Sequence, residues 1–197
     1  MNWIQHPVIL EGERVKLVPL ESEHIPILTE IAKDTRIWQF MTINGAEGTI
    51  LATNLKSAIL KRASGEQYAF VVIDKVSNKI IGSTMFHNIF PEHKKLEIGW
   101  TWYQPDYWRT GYNRECKLLL LTYCFETLGT LRVQFQVDKL NLRSQEAVKG
   151  IGASFEGFLR NDRLRANGTQ RTSAMLSIIV EEWNEVKKNL ISKLAHE

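Results

Sequence analysis

A strand-like run, a glycine turn and an apolar helix follow one another between Leu96 and Leu128, and this unit limits the folds open to the chain. Leu96, Ile98, Trp100 and Trp102 alternate with Glu97, Gly99, Thr101 and Tyr103, the period of two that a strand requires. Arg114 to Leu128 carries Leu118 to Leu121, Tyr123, Cys124, Phe125 and Leu128, apolar on most sides, as a buried helix would be. Between them lies Tyr107-Trp-Arg-Thr-Gly-Tyr-Asn-Arg-Glu-Cys116. A helix start offers unbonded backbone N–H groups and the positive end of the helix dipole. A glycine with flanking arginines at such a start is the outline of a phosphate cradle. Gly111 would let the backbone approach a ligand that a Cβ holds off; its plain alternative is a turn glycine.

The remaining runs set the architecture. Val15 to Leu20 reads as a first strand, and Ser22 caps a helix to about Asp34. Thr49 to Ala63 has helical spacing through Leu51, Leu55, Ile59 and Leu60. Tyr68 to Asp74, Ile80 to Asn88 and Leu131 to Asp138 read as strands, the last with Leu131, Val133, Phe135 and Val137 alternating against polar residues. A short helix, Leu142 to Lys149, stops at Gly150-Ile-Gly152. Ser154 to Leu159 and Thr172 to Val180 read as an antiparallel pair, followed by an amphipathic helix from Glu182 to Leu194. This order predicts an α+β (mixed α/β) fold with one central, largely antiparallel twisted sheet of about six to seven strands flanked by helices. No Pro/Gly/Ser-rich linker or repeat interrupts residues 1–197, so a single domain is expected.

Charge and cysteine usage exclude several partners. A net charge of +3, from 25 basic and 22 acidic residues, is too weak to indicate nucleic acid. The excess at Arg160 to Arg171 and at Lys187 to Lys193 reads as solvated surface. Cys116 and Cys124 lie eight apart in one predicted helix, which favours buried thiols over a disulfide, and no metal-ligand spacing is present. No apolar run approaches the roughly 20 residues of a membrane span, and the first ten residues lack the pattern of a signal peptide. A cytoplasmic protein with reduced thiols, and with no membrane or nucleic-acid partner, is expected. Six tryptophans and the apolar faces of the last strand and tail leave a homodimer open.

Neither GxGxxG nor GxxxxGK[ST] is present, so dinucleotide and P-loop chemistry are poor matches. The segment Leu96-Glu-Ile-Gly-Trp-Thr-Trp-Tyr103, followed by the Tyr107 to Glu115 turn, resembles the GNAT superfamily of acetyl-coenzyme A-dependent N-acetyltransferases. Asn141-Leu-Arg-Ser144, the run Gly150 to Arg160 with its Glu-Gly-Phe-Leu-Arg ending, and the opening Leu10 to Leu20 resemble its RimJ/RimL-type branch. The likeness spans residues 8 to 180 in order. Two positions depart from it. The cradle reads Trp108-x-x-Gly111-x-Asn113 where relatives keep Gln/Arg-x-x-Gly-x-Gly/Ala, and Val148 stands where many keep a tyrosine.

The resemblance implies a GNAT fold, acetyl-coenzyme A as cofactor, and direct transfer to a primary amine in a ternary complex. It favours a protein N-terminal α-amine slightly over a polyamine, amino acid or antibiotic. Arg109, Thr110, Gly111, Tyr112, Asn113 and Arg114 would surround the pyrophosphate, mostly through backbone N–H groups. A backbone N–H near Gly99 to Thr101 would meet the oxyanion, and Trp100 would count among the cofactor-binding residues. Glu97 is then either the base, directly or through a water, or a structural glutamate of the sheet. Asn141 would cap its helix and bond the cofactor's amide arm. Ser144 is either the proton donor to the leaving thiolate or an incidental first-turn serine. Trp38, Phe40, His87 and Tyr103, with Met41 and Asn88, either line the acceptor pocket or pack in the core. Two rival readings are a non-catalytic coenzyme A-binding module and a nucleic-acid binder using the Arg160 to Arg171 loop and the basic tail, the latter opposed by the interleaved acidic residues.

Overall fold

The computed structural model describes residues 2–196. Its frame is an eight-stranded sheet. The strands are β1 (Leu10–Glu11), β2 (Val15–Pro19), β3 (Tyr68–Asp74), β4 (Lys79–Phe90), β5 (Lys95–Tyr103), β6 (Arg132–Asp138), β7 (Ser154–Leu164) and β8 (Gln170–Ile179). They lie in the order β1-β2-β3-β4-β5-β6-β8-β7. Every neighbouring pair is antiparallel except β5 with β6.

Two cores flank the sheet. On one face, α1 (Ile25–Ile31) and α2 (Gly48–Ala63) bring Ile25, Leu28, Leu51 and Leu55 against Val71, Met85 and Trp102. On the other, α3 (Tyr112–Thr122), α4 (Leu142–Gly150) and α5 (Trp183–Leu194) cover Phe70, Phe86, Leu96, Ile98, Phe135 and Leu176 with Leu120, Val148 and Leu190. Each such fully buried aliphatic or aromatic side chain contributes about 1.5–3 kcal/mol. The helix after the glycine turn is apolar over much of its surface because it is largely enclosed: Cys116, Leu120, Leu121 and, just beyond it, Cys124 have no exposed surface. It ends in a π turn, Tyr123–Thr127.

Most expected elements are present with small shifts at their ends. The first helix is shorter than expected, because Ser22–His24 forms a separate 3₁₀ turn before Pro26. The sheet holds eight strands, the additional one being the two-residue β1 on the β2 edge. Both cysteines are free and buried, and burial pushes the Cys116 thiol up to about 12. Among the described residues no helix is long and apolar enough to cross a membrane.

Candidate active site

The sheet opens between β5 and β6. These strands pair in parallel only at Lys95↔Arg132, Leu96↔Val133 and Glu97↔Gln134. Beyond that point β5 continues to Tyr103 and β6 to Asp138 with no ladder between them. The facing backbone groups of both arms are left without a strand partner and can receive a ligand.

A bulge marks the head of the opening. Met85 faces Gly99 and Ser83 faces Trp102, so two steps along β4 match three along β5. Trp100 is the extra residue, held at φ +52°. That conformation costs a non-glycine residue about 1–3 kcal/mol and persists where the surroundings enforce it. The next residue is anchored on the α3 side: Thr101 Oγ1 lies 2.7 Å from Thr84 Oγ1 and accepts from Lys117 Nζ at 2.8 Å. Lys117 is buried, and burial pulls its amine down to about 8.

The bulge overturns the simple alternation read from the sequence. Glu97 and Gly99 share their face with Trp102, while Ile98 shares the opposite face with Tyr103. Tyr103, a candidate for the acceptor pocket, is therefore a core residue on the α3 side. Its hydroxyl is enclosed near Cys116 without a well-formed hydrogen bond, and burial raises its pKa well above the usual value.

Glu97 is 2% exposed and accepts at Oε2 from Asn88 Nδ2 (3.0 Å) and Gln134 Nε2 (2.9 Å). His87 Nε2 stands 3.3 Å from Oε1, within ion-pair reach but out of line for a hydrogen bond. Burial pushes the Glu97 carboxyl up, yet His87, Gln134 and Asn88 together outweigh it and hold the group below its ordinary value. Glycine is required beside this pair, because a Cβ on Gly99 would lie 2.3 Å from His87 Nε2. His87 is buried and stands against Glu97 as its partner.

The phosphate cradle forms at the start of α3. Gly111 caps the helix at φ +83°, and Arg109 is also left-handed at φ +64°. Thr110 Oγ1 donates to Tyr107 O (2.7 Å) and Arg14 Nη1 to Thr110 O (3.3 Å), which pins the turn. Tyr112 sends its hydroxyl to Asp74 Oδ1 (3.0 Å), so its backbone alone faces the cradle. Asn113 is the second residue of α3 and half-buried, with Arg114 next to it. From across the opening comes Arg143 of α4, its guanidinium 3.7 Å from the centre of the Trp108 indole. Arg36 approaches the same ring at 5.9 Å but is held by Asp34 at 2.6 Å. Among the described residues Arg109 and Arg143 form no ion pair. Burial, then the like charge of Arg109, pulls Arg143 below its usual value.

Asn141 Oδ1 accepts from Ser144 N at 3.1 Å, so it caps α4, as its helix-opening position suggests. Ser144 sits half-buried on that first turn. Trp38 is buried, donates from Nε1 to Ala32 O (2.7 Å) and packs on Trp102 with centroids 5.5 Å apart, so it takes the core alternative. Phe40 is half-buried in the α1–α2 loop. That loop also meets the β7–β8 hairpin, where Ala166 N donates to Met41 O at 3.1 Å. Two residues of this site are not singled out by the sequence: Gln134 and Arg143. The signal for Gln134 was the run of polar alternates Gln134, Gln136 and Asp138 on a strand whose other face is core.

Residues 14–154 match the family described as "Acetyltransferase (GNAT) domain", which makes the chain an acyltransferase. It belongs to the GNAT family, whose members use acetyl-coenzyme A. The chain is similar to the uncharacterised N-acetyltransferase p20 of Bacillus licheniformis, 26% identical over 175 residues that cover 88% of this chain and 97% of that protein. It is similar to the crystal structure of a putative acetyltransferase from T. thermophilus, with 31% identity, a TM-score of 0.86 and coverage of 97% and 99%. Mycobacterium smegmatis RimJ in complex with CoA-disulfide aligns at a TM-score of 0.81, 18% identity and 95% coverage of both chains, a likeness of fold alone. The residues present fit a diphosphate cofactor. A left-handed glycine opens a helix of 11 residues, and two arginines without acidic partners face it.

Proposed function

We propose that this enzyme transfers an acetyl group from acetyl-coenzyme A to a primary amine by direct attack, as in the RimJ/RimL-type branch. The observation that carries the reading is the opening between β5 and β6, with the Trp100 bulge at its head and the buried Glu97 beside it. Arg109, Gly111 and the first N–H groups of α3 hold the phosphates, with Arg143 opposite and Asn141 on the amide arm. Bound acetyl-coenzyme A would supply a thioester carbonyl for the amine to add to, with the thiolate leaving afterwards.

The chain's residues handle the protons and the developing charge. Glu97, with His87 against it, takes the proton from the acceptor ammonium, directly or through a water. Its lowered pKa keeps it ionised at neutral pH, so the basic form is always available. The backbone N–H at the Trp100 bulge donates to the oxyanion. Ser144 Oγ gives its proton to the departing thiolate. A protein amino terminus is the acceptor that the RimJ/RimL likeness suggests.

Thiol release from acetyl-coenzyme A across an amine panel tests this. We expect turnover with at least one amine, and a drop on the order of 10²–10⁴-fold in kcat/KM for Glu97→Gln. A Glu97→Gln enzyme with wild-type rate and pH profile removes Glu97 as base. A protein that binds acetyl-coenzyme A but releases thiol with no amine is a sensor.

A further inference from the structure

The face that carries Glu97 continues across β6 and β8 as a buried polar network. Gln134, Gln136 and Asp138 project onto it from β6, Ser173 and Arg171 from β8. Its carboxylates are already committed. Asp138 accepts twice from Arg165, at 2.6 and 3.0 Å. Asp162 accepts from Gln136 (2.6 Å), Ser173 (2.8 Å) and Arg163 (3.2 Å).

Arg171 is the exception. Only 7% exposed, it donates from Nε to Ser173 Oγ (3.0 Å) and from Nη2 to the backbone oxygen of Gln136 (3.3 Å). Both acceptors are neutral, and among the described residues it forms no direct ion pair, the charges of Asp138, Asp162 and Glu97 acting on it only from farther off. Most of its five donors remain available in a planar fork that matches a carboxylate. Burying a guanidinium this way is costly unless something anionic completes it.

Its position suits an acceptor group. Gln134 contacts Glu97 and Gln136 contacts Arg171. These glutamines are two residues apart on one strand, about 7 Å. Glu97 and Arg171 thus lie along one face, close enough for the charge of Glu97 to act on Arg171, so that one small molecule carrying an ammonium and a carboxylate could meet both. The β7–β8 hairpin at the edge of this network is tied to the α1–α2 loop through Ala166 N and Met41 O (3.1 Å).

Resting on the acetyltransfer reading above, we propose that Arg171 binds a carboxylate of the acceptor, and that the acceptor is a free amino acid or close analogue. The enzyme is assayed by thiol release with free amino acids, their α-amides, the matching amines without a carboxyl group, and peptides with acidic first residues. At least one amino acid exceeds its own amide and amine by about 10-fold or more in kcat/KM, because a site built for a charged group rejects the analogue lacking it. Arg171→Gln brings that ratio near unity with an unchanged KM for acetyl-coenzyme A, and Arg171→Lys keeps part of it. Equal use of acid and amide by the wild type overturns the proposal, as does a ratio that survives in Arg171→Gln, or peptides that outperform every free amino acid. The wild-type ratio decides the question even if Arg171→Gln does not fold. No thiol release with any amine removes the acetyltransfer reading itself, whereas turnover without carboxylate preference removes only this inference.

Discussion

The two sides of the β5–β6 opening are built on opposite principles. At the cradle, Gly111 and Arg109 hold left-handed turns, and Arg109 and Arg143 stand near each other with no acid between them. That side is incomplete until an anion arrives. On the Glu97 side nearly every charge has its donors before any ligand enters: Glu97 from Asn88 and Gln134, Asp138 from Arg165. A cradle in which Arg109 and Arg143 form no ion pair among the described residues grips any phosphate and gives affinity. A balanced, buried network rewards only a ligand whose charges fall where a donor is spare, and so gives selectivity.

The largest expected effect breaks the balanced side. Gly99→Ala places a Cβ where His87 Nε2 now sits, displacing His87 and with it the Glu97 pair. We expect kcat/KM to fall on the order of 10²–10⁴-fold, with the KM for acetyl-coenzyme A little changed. A normal rate in Gly99→Ala would mean that the His87–Glu97 geometry is dispensable.

Lys117 supplies an internal reference, since it is a buried cation that neither side neutralises. Folded, its amine loses a proton near 8; its ordinary value is 10.5. Between these values the unfolded chain binds the extra proton, so stability rises with pH across that window and levels off above it. Lys117→Met should be more stable than wild type at pH 7, by on the order of 3 kcal/mol, and should flatten the rise. Urea unfolding at pH 7, 8, 9 and 10.5 checks this. Parallel curves for the two proteins would show that the buried amine is compensated.

The smallest effect sharpens the cofactor side. Arg143→Met retains an apolar stem against Trp108 and removes the charge. We expect the KM for acetyl-coenzyme A to rise about 10-fold, the loss of one charge-assisted contact, and the rise to shrink with added salt. An equal effect on S-acetylpantetheine, which lacks the nucleotide phosphates, would place Arg143 elsewhere in the reaction.

Much of this was legible from local pattern. The period-two runs of β5 and β6, the apolar α3 and the glycine turn each depend on residues close in sequence, and each stands where expected. Asn141 announced its capping role because a cap is a three-residue affair. What stayed hidden depends on distant pairing. Nothing within Leu96 to Tyr103 says that the ladder with β6 stops after Glu97, or that β4 forces an extra residue at Trp100. Tyr103 went to the wrong face for that reason alone. Arg143 and Arg171 were illegible for a related one: each gains meaning from partners on other elements, Trp108 for one and Gln136 for the other.

The single inserted residue at Trp100 also makes β5 a frame-shifted strand. Upstream of it, the odd-numbered positions Glu97 and Gly99 look toward α1 and α2; downstream, the even-numbered Trp102 does. Deleting Trp100 would leave Gly99, Thr101, Trp102 and Tyr103 in strict alternation, so Trp102 would stay toward α1 and α2 and Tyr103 in the α3 core. Packing and chemistry therefore come apart at this residue. A loss of one codon there would remove the bulge while sparing both cores, Glu97, His87 and the glycine turn.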